Sequence, residues 1–313
     1  MRNDIAWIKL GSALEGRDFA RFQRELTRFN HDRLTPALPD GRWADELKLT
    51  HLVQQAEIGF VESARAEIAA LTQKIPCDPE AFLAWYEDLR DSGPGQGDSL
   101  FPWLENEASL EEMSWFIEQE VAGEAGFEDL LAYTQVKMPQ AAKLEMARNY
   151  WDEMGRGGAK GMHGPMLDRL AKHMEAYPTP DTVVPESLAL GNMMVALSQH
   201  RRYAFHAVGA LGVIELTAPT RAGHVDRGLR RLRVPGKYRN YFGLHAILDV
   251  KHSQDWNREV IRPLVMEDAR RAKAIGEGAL LRLWCGARCF DRYRAHFALS
   301  QSAAQPVGAL VDA

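Results

Sequence analysis

Three polar side chains in one short run have the types and the spacing of a metal site. His245, Asp249 and His252 are four and then three residues apart. At about 100° per residue, these offsets place the three side chains on one face of an α-helix, within roughly 60° of each other. Two imidazoles and a carboxylate suit iron, manganese or zinc. The simple alternative is a helix with two unrelated histidines and a solvated aspartate, and only the rest of the chain distinguishes the two.

A glutamate on an apolar helix face is a further candidate ligand. The segment from Leu110 to Thr134 has helical periodicity. Its apolar stripe consists of Phe116, Phe127 and Leu131. Glu120 lies on this stripe, so its carboxylate needs a partner in the interior. Glu124, one turn later, is the alternative for the same role, whereas Glu118 and Glu128 lie off the stripe and are expected to be solvated.

Glu153 and His163 flank a glycine-rich break. The helix predicted from Ala141 to Met154 ends at residues 155–158, Gly-Arg-Gly-Gly, where glycine allows the chain to leave helical geometry. On an unbroken helix, His163 would lie about 80° from Glu153 around the axis. The break can instead return His163 towards the carboxylate. Taken alone, His163 is better explained as an ordinary packed or exposed histidine.

Glu215 is the next acidic candidate. A long apolar helix is predicted from Glu186 to Leu216, with Glu215 in its last turn before Pro219. Because the helix dipole disfavours an acid at a C-terminus, a nearby cation is expected to compensate it. The basic segment from Arg221 to Arg233 follows. Its arginines form surface ion pairs, or they hold an anionic substrate or a subunit contact.

Helices must position all of these side chains, because the alternating β-branched runs typical of strands are missing. An all-α fold is therefore predicted. Further helical patterns cover residues 18–31, 43–73, 78–89 and 266–297. The turn-rich run at residues 91–98, Asp-Ser-Gly-Pro-Gly-Gln-Gly-Asp, is the predicted boundary between an N-terminal helical layer (1–95) and a second unit (96–313).

The composition is that of an ordinary folded chain. Its 313 residues are 46% hydrophobic and 26% charged, enough for one large core or two modest ones. A formal charge of -5 argues against nucleic-acid binding and favours a small-molecule partner. No apolar run approaches the ~20 residues of a membrane span, and the charged N-terminal residues do not suit a signal peptide, so a cytoplasmic location is expected. Three cysteines without zinc-type spacing predict neither a disulfide framework nor a sulfur-bound metal.

The acidic residues and histidines above resemble the ligand set of the haem-oxygenase-like di-iron oxidases and oxygenases, which are iron-containing redox enzymes. The resemblance covers about Leu110 to Trp256. Its most specific parts are Asn149-Tyr-Trp-Asp-Glu-Met-Gly155, His163, and the His-x3-Asp-x2-His run preceded by Tyr241-Phe242. It implies a helical bundle like that of haem oxygenase and TenA, with extra N-terminal helices in this chain. The implied metal ligands are Glu120, Glu153, His163, Glu215, His245, Asp249 and His252.

The resemblance also implies a reaction. Two Fe(II) ions and O2 as co-substrate would oxidise a small molecule, with an amino acid or amine as the first expectation. Glu153 is expected between the metals, with Glu120, His163 and His252 completing one site and Glu215, His245 and Asp249 the other. The ferritin-like di-iron bundles are a poorer match, since none of the ten histidines follows a Glu by three residues. Manganese in place of one iron stays open, and a homodimer and an external electron donor are compatible with the resemblance.

Three alternatives remain. A fatty-acid oxidative decarboxylase of the same family would have a long apolar tunnel beside Glu215, whereas an amino-acid enzyme would have a short pocket ending in Arg or Lys. A metal-free TenA-like binding or hydrolytic protein would place a cysteine in the central pocket, yet Cys285 and Cys289 lie outside the segments above and share a helix face that indicates packing. Haem ligation by His31 is the third, although a haem pocket would not tolerate the carboxylate cluster.

Overall fold

The structure, a computed structural model, describes residues 18–124 and 126–299, with no side chain described at position 124. Within these ranges the chain is helical and contains no β-strand, which confirms the predicted all-α fold. An isolated antiparallel bridge joins Met154 and Met162. None of the described helices is both long and apolar enough to span a bilayer.

The described helices fall into two sets along the chain. The first set is α1 (Phe19–Leu34), α2 (Trp43–Glu67), α3 (Ala69–Thr72), α4 (Pro79–Ser92), α5 (Leu100–Asn106), α6 (Leu110–Glu124) and α7 (Phe127–Thr134). The second set is α8 (Gln140–Glu153), α9 (His163–His173), α10 (Pro185–Gln199), α11 (Ala204–Arg231), α12 (Gly236–Trp256), α13 (Arg262–Glu267) and α14 (Arg270–His296). Short 3-10 turns occur at Gly155–Gly157, Ala159–Gly161 and Arg201–Tyr203, and a π-helical turn at Asn257–Ile261.

The helix that carries Glu215 differs from the prediction. The predicted helix 186–216 is interrupted at residues 200–203, and α11 then continues through Pro219 to Arg231. Pro219 has no N–H, so the helix loses the hydrogen bond to the Glu215 carbonyl oxygen four residues earlier, but it does not end. Glu215 therefore lies in the middle of a buried helix. The prediction that Glu215 sits at a helix C-terminus and needs compensation there is wrong.

The central helix of the bundle is α11, which packs most extensively against α12 and α14. The backbones of α11 and α14 touch, since a Cβ at Gly209 would lie 1.8 Å from the carbonyl oxygen of Ile275. On the other side, the indole N–H of Trp256 in α12 donates to the carbonyl oxygen of Val208, at 3.2 Å. These contacts fix α12 and α14 relative to α11, and all three helices carry residues of the site described below.

The N-terminal helices contact this bundle directly. Asn192, buried in α10, donates from Nδ2 to Oε1 of Gln23 at 2.8 Å and accepts from Nδ2 of Asn30 at 2.9 Å, which ties α1 to α10. Tyr86 in α4 donates its hydroxyl hydrogen to the carbonyl oxygen of Gly209 in α11, at 2.7 Å. The division into units 1–95 and 96–313 stays a prediction, and residues 1–17 lie outside the described part of the chain.

Candidate metal centre

A chain reversal after α8 brings Glu153 and His163 together. Residues 155–157 all have positive φ, at 60°, 54° and 83°. The turn is tight, because a Cβ at Gly155 would lie 2.3 Å from the carbonyl carbon of Gly161. His163 then begins α9, and its Nδ1 lies 2.7 Å from Oε2 of Glu153. The prediction that the glycine break returns His163 towards Glu153 is confirmed.

Two groups of three potential ligand atoms share Glu153. The first group is Glu153, His163 and His245, and the second is Glu153, Glu215 and His252. Within each group the ligand atoms lie within 4.8 Å of one another. In the first group, Nδ1 of His163 is 3.1 Å from Nε2 of His245. In the second group, Nδ1 of His252 is 3.4 Å from Oε2 of Glu215.

Asp249 lies beside the second group. Its side chain is buried, and its Oδ1 is 3.9 Å from Nδ1 of His252. The imidazoles are divided differently from our expectation: His163 lies with His245, and His252 lies with Glu215. This division depends on how α9, which begins at His163, packs against α12, which carries both His245 and His252.

The imidazoles of the first group are held in the form that binds metal. Burial lowers the pKa of His163 to about 4. Burial, and then the neighbouring His163, lower the pKa of His245 to about 4. Both rings are therefore neutral at pH 7, which is the protonation state that coordinates a metal ion. Burial, and then the charge of Glu215, raise the pKa of Glu153 well above its usual range. Without a metal ion, the negative charges of Glu153 and Glu215 therefore destabilise each other.

The second group holds a proton that a metal ion would replace. Burial alone would lower the pKa of His252, but Glu215 and then Asp152 more than offset it, and the pKa is raised to about 9. Nε2 of His252 donates to Oδ2 of Asp152 at 3.2 Å, which leaves Nδ1 facing Glu215. Asp152 is itself paired with Arg156, at 2.6 Å. A carboxylate behind a ligating histidine is a common arrangement at metal sites, because it fixes the ring and its tautomer.

Two further contacts orient the ligands. Nδ1 of His245 donates to the main-chain oxygen of Tyr241 at 2.7 Å. Since a carbonyl oxygen can only accept, the proton is on Nδ1 and the lone pair of Nε2 faces the centre. Asn149 is buried and donates from Nδ2 to Oε1 of Glu215 at 2.7 Å, so one oxygen of that carboxylate is fixed.

The distances between the candidate ligand atoms are compatible with binding of metal ions. Two ligand atoms that are each about 2.1 Å from one ion and at right angles to each other lie about 3 Å apart. The distances from His163 Nδ1 to Glu153 Oε2 and to His245 Nε2 are 2.7 and 3.1 Å. Nδ1 of His252 is a buried nitrogen without a hydrogen bond, at 3.4 Å from the Glu215 carboxylate. The donor set is oxygen and imidazole nitrogen, as iron, manganese and zinc accept.

Glu120 lines the same cavity as these residues but belongs to neither group. The cavity has a volume of ≈ 90 Å³ and is also lined by Glu153 and Glu215. Burial raises the pKa of Glu120, while Arg221 and Arg282 act to lower it. Its assignment as a metal ligand therefore stays a prediction. The rival side chain of Glu124 lies outside what the structure describes.

Glu128 is a carboxylate that the sequence reasoning missed. It is only half-exposed, and burial raises its pKa. Its Oε1 would lie 3.1 Å from a Cβ at Gly164, the residue after His163. The expectation that Glu128 is solvated is therefore wrong. The cause is Gly126, whose φ of 69° separates α6 from α7 and shifts the helical phase, so a stripe extrapolated from Phe116 misplaces Glu128.

The residues named for the alternative functions lie elsewhere. Cys285 and Cys289 are buried in α14 and do not line the cavity. Burial raises the pKa of both thiols, that of Cys285 to about 12, so neither is a ready nucleophile. His31 is exposed on α1 and does not line the cavity either.

Comparison with known proteins agrees with this centre. The sequence profile of a family described as iron-containing redox enzymes matches residues 114–287, more than half of the chain. The matched region spans Glu120 and every residue of the two ligand groups. No curated protein matches the sequence. The chain belongs to the iron-containing redox enzyme family and has its haem-oxygenase-like helical fold.

Proposed function

We propose that the protein is a non-haem di-iron oxidase or oxygenase that uses O2 to oxidise a small amino acid or amine. One observation carries the proposal: two groups of oxygen and nitrogen donors, all buried except the half-buried His245, share the carboxylate of Glu153. A carboxylate has two oxygens and can bind one metal ion with each. Membership in a family of iron-containing redox enzymes favours iron over zinc at such a centre.

The side chains of this chain bind the metals, orient the ligands and exclude water. Glu153 would bridge the ions, His163 and His245 would bind one, and Glu215 and His252 the other, with Asp249 beside the second. Tyr241 and Asp152 hold the imidazoles in position through the hydrogen bonds above. Apolar side chains line part of the cavity and would limit contact of water with the centre; they include Phe116, Phe127 and Ile214. Bound iron would supply the electrons that reduce O2.

The shape and charge of the cavity favour an amino acid or amine over a fatty acid. Its volume of ≈ 90 Å³ suits a compact molecule, and its lining includes Arg221 and Arg282. A fatty-acid decarboxylase needs a long apolar tunnel beside Glu215 instead. A metal-free TenA-like hydrolase is disfavoured because neither Cys285 nor Cys289 lines the cavity.

Anaerobic loading with Fe(II), followed by desalting and iron analysis, tests the proposal. The expected result is two iron ions per chain in the unaltered protein. The variant His252→Ala is expected to retain one or fewer, because the second group loses a ligand. His31→Ala is the matched control and is expected to retain two, since His31 is exposed on α1. A stoichiometry near zero in the unaltered protein contradicts the proposal and supports a metal-free function.

Substrate oxidation is tested separately. The Fe(II)-loaded protein is mixed with O2 and a panel of amino acids, amines and fatty acids, and the transient visible absorbance and the oxygen consumption are recorded. We expect an amino acid or amine to accelerate both. Acceleration by fatty acids alone would favour the decarboxylase.

A further inference from the structure

Three charged side chains from three different helices line the cavity of the metal centre. Glu120 comes from α6, Arg221 from α11 and Arg282 from α14. Glu153 and Glu215 line the same cavity. A small molecule that contacts the charged side chains is therefore in the same cavity as the candidate metal ligands.

Within the described part of the chain, neither guanidinium group forms an ion pair. Among the described residues, no carboxylate lies within 4 Å of a nitrogen of Arg221 or Arg282. Nε of Arg282 is buried and has no hydrogen-bond acceptor. Arg221 donates from Nη2 to Oγ1 of Thr217 at 3.0 Å, and its guanidinium lies 5.6 Å from the ring centre of Phe290. A buried donor without an acceptor is costly, and Nε of Arg282 has none among the described residues, so this arginine is suited to an added anion, with Arg221 beside it.

The charges of these three side chains indicate how many anionic groups can bind beside them. Arg221 and Arg282 repel each other, and the Glu120 carboxylate attracts both. Burial, and then the charge of Arg282, lower the pKa of Arg221 to about 10, so the group is still charged at pH 7. Among these three side chains, two guanidiniums and one carboxylate leave one positive unit, while the other acids of the cavity, Glu153, Glu215 and Asp249, are assigned to the proposed metal centre. A single added carboxylate neutralises this excess, and the planar fork of an arginine matches both of its oxygens.

We infer that Arg221 and Arg282 bind the carboxylate of an α-amino acid and that Glu120 accepts a hydrogen bond from its ammonium group. The inference rests on the proposed function, whose substrate class it specifies. In this arrangement the side chain of the amino acid extends through the cavity towards Glu153 and Glu215. The role given to Glu120 is an alternative to the metal-ligand role that the family resemblance implies.

Thermal denaturation tests the inference without relying on turnover. Each of the 20 standard L-amino acids is added at 10 mM to the metal-free and to the anaerobic Fe(II)-loaded protein. The amino acid with the largest rise in Tm is then compared with its amide and with the acid that lacks its amino group. We expect the amide to lose the rise because it lacks the charge that the arginines bind. We expect the deaminated acid to bind more weakly because it has no group for Glu120.

Single substitutions test which side chains bind the amino acid. Arg282→Gln is expected to weaken amino-acid binding by about tenfold or more, because a hydrogen bond to a charged group is lost, and Arg282→Lys is expected to restore part of it. Arg270→Gln in the same helix, where Arg270 is exposed and paired with Asp268, is the matched control and is expected to bind normally. Glu120→Gln is expected to retain two iron ions and to lose the preference for the amino acid over the deaminated acid.

Contrary outcomes separate this inference from the proposed function. An amide that binds as well as its acid, unchanged binding in Arg282→Gln, or no rise in Tm with any amino acid overturns the carboxylate site. Loss of iron in Glu120→Gln overturns the ammonium contact and restores Glu120 to the metal ligands. Two bound iron ions without amino-acid binding leave the di-iron proposal standing, whereas amino-acid binding without iron leaves the carboxylate site standing and removes the di-iron centre.

Discussion

The glycine turn at residues 155–157, after α8, is expected to determine the position of His163. Gly155→Ala places a Cβ in a residue with φ +60°, a conformation that costs an L-residue about 1–2 kcal/mol. The added carbon would also lie 2.3 Å from the carbonyl carbon of Gly161, with the main-chain nitrogen of Met162 at 2.6 Å. Because an ordinary contact is 3.4 Å or more, the segment that leads into His163 must move by about 1 Å.

A displacement of that size at a ligand is enough to disturb binding. Misplacement by about 1 Å can cost roughly 100-fold in a function that depends on geometry. We therefore expect Gly155→Ala to weaken binding of one metal ion by about 10–100-fold, since His163 belongs to the first ligand group only. The ion at Glu215 and His252 is expected to bind nearly as before.

Metal titration under anaerobic conditions, with iron analysis at each point, measures the two binding steps. Gly97→Ala is the matched control, because Gly97 also has a positive φ (+67°) but has no atom within 4 Å of its added Cβ. It is expected to lower the free energy of unfolding by about 1–2 kcal/mol through backbone strain alone and to leave both metal affinities unchanged. Two unchanged binding steps in Gly155→Ala would refute the claim that the tight turn positions His163.

Three further outcomes are expected from the same structure. In the metal-free protein the pKa of His252 is raised to about 9, so below pH 9 metal must displace its proton. Because the pKa of Glu153 is also raised, metal affinity is expected to rise at least tenfold per pH unit from pH 6 to 8, with proton release measured in weak buffer. Asn149→Ala frees an oxygen of Glu215 and is expected to weaken metal binding by about 10–100-fold, whereas Asn106→Ala, at an exposed position, has no such effect in the same titration. Glu57→Ala removes the buried carboxylate that pairs with the half-buried Arg33 and lies 2.6 Å from Nε2 of His200. It is expected to reduce the free energy of unfolding by about 3 kcal/mol, measured by chemical denaturation, while iron stoichiometry stays at two. A pH-independent affinity, normal metal binding in the Asn149 variant, or unchanged stability in the Glu57 variant would each contradict the corresponding argument.

Local sequence patterns predict the positions of candidate site residues correctly where those residues lie within one helix or one turn. The offsets of four residues from His245 to Asp249 and of three from Asp249 to His252 predict a shared face, and Oδ1 of Asp249 lies 3.9 Å from Nδ1 of His252. The glycine run predicted the return of His163 to Glu153, because glycine is needed for the positive φ that reverses the chain. In both cases the signal depends on few residues and on backbone geometry that neighbours do not alter.

Local sequence patterns do not predict side-chain positions correctly where a helix breaks, or continues, against the local signal. Pro219 was interpreted as a helix end, but packing of α11 against two helices compensates for the hydrogen bond lost at Glu215. Gly126 was not recognised as a break, so Glu128 was assigned to the wrong face. The pairing of His163 with His245 depends on how α9 packs on α12, which no local pattern encodes.

Anomalous diffraction at the iron edge, from crystals of the anaerobically Fe(II)-loaded protein, tests the shared role of Glu153 most directly. The expected result is two iron peaks about 3.5–4 Å apart, with one carboxylate oxygen of Glu153 bound to each. His163 and His245 should contact one peak, and Glu215 and His252 the other. A single peak, no peak, or two peaks without Glu153 between them would contradict the account.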